Sequence, residues 1–180
     1  VEIDQDTGAF DIVKFIAVDD IGTIVNPLLA GGQTSGSIVQ GIGQAVFENC
    51  VYDNESGQLL SGSYMDYCIP RADDLPAFEM KFIDDIPSTN NPMGMKGAGE
   101  SGCVGTPPAV VNAVLNALSV FNVSSIDMPI TQEKIKKDWD TRGYSFGVFK
   151  DPPGQVWADF VHRTDELVVL AEGEIEIEIE

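Results

Sequence analysis

Cysteine, histidine and positive charge are all scarce in this 180-residue chain. Its three cysteines, Cys50, Cys68 and Cys103, are odd in number and show no CxxC or Cys/His spacing. That excludes a disulfide framework and a zinc site of ordinary spacing, and it reads as reduced thiols in a cytoplasmic protein. Ten Lys and Arg stand against 29 Asp and Glu, for a formal charge of −19. A nucleic-acid backbone or an anionic membrane surface needs clustered cations, so both are excluded as partners. No apolar run approaches the roughly 20 residues that a bilayer span requires, so no transmembrane helix is expected. Also missing are an initiator Met and a cationic stretch ahead of an apolar one, so no signal peptide is visible.

What is present is a chain that can fold. At 43% hydrophobic it can bury a core, which excludes wholesale disorder. Both ends read as interrupted strands. Val1 to Asp4 is strand-like, Gln5 to Gly8 is turn chemistry, and Phe10 to Val18 reads as the return strand. At the far end Glu174 to Glu180 alternates Glu and Ile with period two. Residues 145–180 are expected to form antiparallel strands, with Ile175, Ile177 and Ile179 on one face. A piece of a longer protein is the expectation.

Between the ends, Asn26-Pro27 signals a helix start, with Asn at the cap and Pro at the first helical position. The helix is expected to reach about Glu48 and carries Gly31, Gly32, Gly36, Gly41 and Gly43. Each costs up to about 1 kcal/mol relative to Ala in a helix interior. Two readings fit: close packing against another element, or a ligand lying on the helix. A hairpin is expected around Asn54 to Gly57, and a strand from Phe78 to Asp84 with Phe78, Met80 and Phe82 on one face. Thr106-Pro107-Pro108 is read as opening a second helix with an apolar stripe at Val110, Val111, Val114, Leu115 and Leu118. A short helix follows Thr131, and a domain boundary is placed at about residue 137, where turn residues and short strand-like runs begin.

The most informative stretch is Pro92 to Gly102. Gly97, Ala98, Gly99 and Gly102 clear space around one carboxylate, Glu100. The GK[ST] ending of a phosphate loop is absent. A carboxylate in a cramped, glycine-lined loop ahead of a helix has the makings of a general base; the plainer reading is an exposed loop residue.

The order of segments adds to this. Asp19 to Pro27, Gly32 to Gly36, Gln40 to Ala45, Tyr64 to Tyr67, Asn91 to Glu100 with its Lys96-Gly97-Ala98-Gly99-Glu100 core, Pro107 to Ala113 and Ile126 to Pro129 follow one another. This series closely resembles the C-terminal part of the large subunit of the molybdenum hydroxylases, the xanthine dehydrogenase, aldehyde oxidase and carbon-monoxide dehydrogenase family. The resemblance covers residues 1–137 and implies an α+β molybdopterin-binding domain. It implies Glu100 as the catalytic base in hydroxylation by water-derived oxygen. It implies a cofactor-binding set of Gln33, Gly32, Gly36, Lys96, Gly97 and Gly99, with no metal ligand from the protein. The implied cofactor is molybdenum–molybdopterin, bound together with the rest of the subunit. Iron–sulfur centres and FAD would lie in partner domains or subunits, since their cysteine and nucleotide signatures are missing here. The substrate would be an aldehyde, an N-heterocycle or a related small molecule, the full-length form an oligomer, and this stretch alone inactive.

Residues 138–180 resemble something else. Gly154, His162, Glu166 and Gly173 have the spacing of the first cupin motif, with Phe160 where the first metal-binding His is expected. The implied element is a truncated all-β cupin-like barrel. Two ligands fall short of an ordinary first-row metal site, so metal binding is not expected there. An oxidoreductase piece is therefore the leading expectation. The alternatives are a cupin-type small-molecule binding module carrying a non-catalytic remnant, and a purely structural piece.

Overall fold

The computed structural model describes residues 1–4 and 7–141, the last five by backbone alone. The expected cupin-like barrel, with Phe160, His162 and the Ile/Glu alternation, lies outside the described residues. The described part is α+β. Strand β1 (Glu2–Ile3) pairs antiparallel with β2 (Phe10–Asp11), and β3 (Phe15–Asp20) pairs parallel with β4 (Phe78–Ile83). Helices α1 (Pro27–Ile42), α2 (Ser101–Ala117) and α3 (Gln132–Thr141) complete it.

The single return strand expected over Phe10–Val18 is two strands. Phe10 and Ile12 pack on the core, and so do Phe15 and Ala17. Even and odd positions of one strand face opposite ways, so the phase must slip between them. It does so at Val13 and Lys14, two successive exposed residues. β3 then leaves β1 and takes β4 as its partner, from Phe15 opposite Phe78 to Asp20 opposite Ile83. The Phe15 and Phe78 rings meet edge to face at 5.9 Å.

α1 begins as its cap signal requires: the Asn26 side chain accepts the Leu29 N–H at 3.1 Å, and Pro27 opens the helix. It ends in a π-helical turn, Gly43–Phe47, one residue short of the expected Glu48. α2 starts at Ser101, five residues ahead of the Thr-Pro-Pro signal, so Pro107 and Pro108 lie inside it. They have no N–H to give the Cys103 and Val104 carbonyls four residues back. The early turn is retained because it packs on α1. A methyl at Gly102 would stand 2.4 Å from Ser37 Oγ and 2.8 Å from the Ile38 nitrogen. One at Gly41 would stand 2.5 Å from Thr106 Cβ.

The core lies at this α1–α2 crossing. Ile38, Ile42 and Ala45 meet Val110, Val114 and Leu118, joined by Val123, Ile130 and Ile135. Val111 and Leu115 pack at its edge, as the apolar stripe requires. α3 closes it. Thr131 Oγ1 accepts the Lys134 N–H at 3.3 Å, and Lys134 Nζ reaches the Pro129 carbonyl at 2.9 Å. The boundary expected at about 137 falls within this helix.

One expectation on apolar runs is corrected. Ser101–Phe121, which is α2 with a following 3₁₀ turn, is long and apolar enough by length and composition to cross a bilayer. Within it Gly102, Thr106, Pro107, Val110 and Val114 are buried, while Val104 and Val120 are exposed.

Candidate functional site

Two stretches far apart in sequence meet at the start of α2. The Gln33 side-chain amide donates to the Gly99 carbonyl at 2.7 Å, across 66 positions. Glu100 is the next residue and occupies the N-cap position of α2. Its side chain makes no capping bond, while its carbonyl accepts the Val104 N–H at 3.1 Å. The backbone of Glu100 is therefore committed to the helix and its carboxylate is not. The surroundings are open rather than cramped: Glu100, Gly97 and Gly99 are all exposed.

The glycines of α1 divide into two sets. Gly41, on the side with Thr34, Ile38 and Ile42, is a packing glycine pressed on α2. Gly31, Gly32 and Gly36 have no atom within 4 Å of where a Cβ would sit, and neither do Gly97, Gly99 and Gly105. The packing reading thus holds for Gly41, and the three open glycines of α1 are not accounted for by packing. Gly32 and Gly36 are four apart, on one helix face. The result is a surface of bare backbone flanking the exposed Gln33 amide.

The loop that delivers Glu100 is tied to the end of β3. Gly22 and Gly94 have φ of +62° and +73°, a conformation that costs other residues about 1–2 kcal/mol. A methyl on Gly22 would lie 2.3 Å from the Gly94 oxygen. That oxygen accepts the Thr23 and Ser88 N–H groups at 3.0 and 2.9 Å, and the Lys96 N–H reaches the Ile21 carbonyl at 3.0 Å. Asn91 brackets the turn, donating to the Met95 carbonyl at 2.8 Å and accepting the Met95 N–H at 3.2 Å. The Lys96 ammonium pairs with Asp20 Oδ2, and Asp20 Oδ1 accepts the Gly22 N–H at 3.1 Å. The Lys96 bond first, and the Gly22 bond second, hold the Asp20 carboxyl below its usual range.

Gln33, Gly99 and Glu100 are thus brought together, with Gly32 and Gly36 on the adjoining helix. Lys96 instead turns its charge to Asp20. Asp20, Gly22, Asn91 and Gly94 were given no role by the sequence reading. A signal for the first two existed, since Asp-x-Gly favours a side chain that bonds the backbone two residues on. Among the described residues no group of three His, Cys, Asp or Glu side chains is placed to hold a metal ion.

Comparison with known proteins shows what the chain is similar to. Residues 1–76 match a family model described as a molybdopterin cofactor-binding domain. The chain is 44% identical over 135 residues to the nicotine 6-hydroxylase large subunit of Paenarthrobacter nicotinovorans, covering 75% of this chain and 16% of that one. It is 38% identical over 129 residues to the carbon monoxide dehydrogenase large chain of Afipia carboxidovorans, covering 72% and 16%. Among solved structures, quinoline 2-oxidoreductase from Pseudomonas putida 86 superposes with a TM-score of 0.73 at 40% identity, over 77% of this chain and 17% of that one.

The chain is homologous to the large subunits of molybdenum hydroxylases. It spans less than a fifth of the length of the relatives it matches here.

Proposed function

We propose that this chain forms the general-base side of a molybdenum-cofactor site within a complete oxidoreductase large subunit. The observation that carries the reading is the Gln33–Gly99 hydrogen bond, which sets Glu100 beside a surface of glycines open to 4 Å. The fit to an organic cofactor is one of shape and donors. Gly32, Gly36, Gly97 and Gly99 leave the backbone accessible to a flat group, and Gln33 supplies a polar amide at its edge. The chain offers no metal ligand set of its own among the described residues, so it would hold such a cofactor through the organic part.

When bound, the cofactor supplies the two-electron redox chemistry and the Lewis acid. The chain's own residues do the rest. Glu100 accepts a proton at its carboxylate, left unused by the helix cap, from the water-derived nucleophile. Gln33 fixes the segment that presents it, and the glycines keep side chains out of the cofactor's space. The substrate class is an aldehyde, an N-heterocycle or a related small molecule. Iron–sulfur and flavin partners in an oligomeric cytoplasmic complex would take up the electrons; the relatives themselves carry the names of large subunits and of a subunit gamma.

The test is the molybdopterin content of the full-length subunit with Gly36→Leu. Content is expected to fall while the subunit stays folded. Normal content would remove the glycine surface from the site.

A further inference from the structure

The segment between Lys96 and Glu100 holds two exposed glycines whose Cβ positions meet nothing within 4 Å, so it has little packing to fix it. Its far end is held at the Gly99 carbonyl by Gln33 and at the Ala98 carbonyl by Ser101 Oγ, at 3.2 Å. Its near end is held at Lys96, through the backbone bond to Ile21 and the ammonium on Asp20, next to Met95, which Asn91 holds by two hydrogen bonds. Asp20 is the last residue of β3, in register with the last residue of β4. Both its carboxylate oxygens are engaged, one by Lys96 and one by the Gly22 N–H. The pair therefore ties the base-bearing loop to the end of the parallel sheet, and both side chains are about one-third exposed. A surface ion pair of this kind adds little to global stability. Its geometric effect is a different matter, because a misplacement of about 1 Å at a reacting group can cost about 10²-fold in rate.

We infer that Asp20 and Lys96 are positioning residues for Glu100: their ion pair anchors the glycine-rich segment so that the carboxylate is presented at a fixed place. The inference rests on the reading of Glu100 as the base, and the tests are chosen to separate the two.

In the full-length subunit within its complex, Asp20→Asn and Lys96→Met should each lower kcat by about 10²-fold. KM and cofactor content should stay near those of the parent protein. Lys96→Arg, which keeps the pair, should restore most of kcat. Hydrogen exchange gives a readout independent of the cofactor. Asp20→Asn should speed exchange at amides 97–101 and leave those of Val110 to Ala117 unchanged. In a Glu100→Gln background, Asp20→Asn should cause no further loss, since nothing remains to be positioned. A further loss there, faster exchange throughout α2, or loss of cofactor with Lys96→Met alone would overturn the positioning role. If Glu100→Gln abolishes turnover while Asp20→Asn changes neither kcat nor exchange, the positioning role fails and the base assignment stands. If Glu100→Gln itself turns over normally, the base assignment fails, and the exchange result still judges the anchor.

Discussion

Gln33 and Gly99 are joined by a 2.7 Å hydrogen bond between a side-chain amide on α1 and a carbonyl one residue before α2's cap. That bond couples the glycine face of α1 to the placement of Glu100. Gln33→Leu, similar in bulk but without a donor, should free the Gly99 carbonyl. Exchange at the Glu100 and Ser101 amides should rise, and turnover of the complete enzyme should fall with it. Unchanged exchange would show the bond to be dispensable.

The two sets of glycines should respond oppositely to the same substitution. Gly41→Ala forces a methyl to 2.5 Å from Thr106 Cβ and 3.1 Å from Pro107 Cδ. Overpacking of this kind costs about 1–3 kcal/mol. Gly32→Ala and Gly36→Ala meet nothing within 4 Å and should stabilise the cofactor-free protein by up to about 1 kcal/mol each. The same two changes should weaken cofactor retention. Urea denaturation of the cofactor-free protein and molybdopterin content read the two effects. A loss of stability with Gly36→Ala would show that its face is packed.

Gly22→Ala combines a φ of +62° with a methyl 2.3 Å from the Gly94 oxygen. It should lower stability by more than the roughly 1–2 kcal/mol of left-handed strain alone. Gly57→Ala, at a φ of +70° with open space around it, should show the strain alone and serves as the control. Equal losses at the two positions would mean that the loop gives way around Gly22.

Much of the helical frame around the candidate site was legible because it rests on local chemistry. Asn26-Pro27 announces α1, and the period of Val110, Val114 and Leu118 announces the buried face of α2. The start of α2 was misplaced because Thr-Pro-Pro is a stronger local signal than Ser101-Gly102. What decides the earlier start is tertiary: the backbone of Gly102 against Ser37 and Ile38. The parallel pairing of β3 with β4 joins residues some sixty positions apart and leaves no local mark. The Asp20–Lys96 pair is long-range in the same way. That Gly41 packs while Gly36 lies open depends on which face of α1 meets α2, which composition alone does not reveal.

Asp20, Asp53 and Asp74 all have carboxyls held below the usual Asp range, mainly by hydrogen bonds from Lys96, Ser56 and Arg71 respectively. A lowered value in the folded state contributes stability that is present above the ordinary Asp range near 3.9 and lost as pH falls through the lowered values. Stability should therefore decline on acidification below about pH 4. Asp20→Asn should flatten its share of that decline, as read by urea denaturation at several pH values. An identical pH slope in the variant would contradict the pairing with Lys96.

Glu100 as the proposed base is tested most directly by turnover of the complete enzyme carrying Glu100→Gln. Gln keeps the shape and the open cap but cannot accept the proton. Turnover should fall by roughly 10²–10⁴-fold or more, the scale of lost general-base help, with molybdenum content near normal. Turnover at the level of the parent enzyme, with its cofactor in place, would contradict the account.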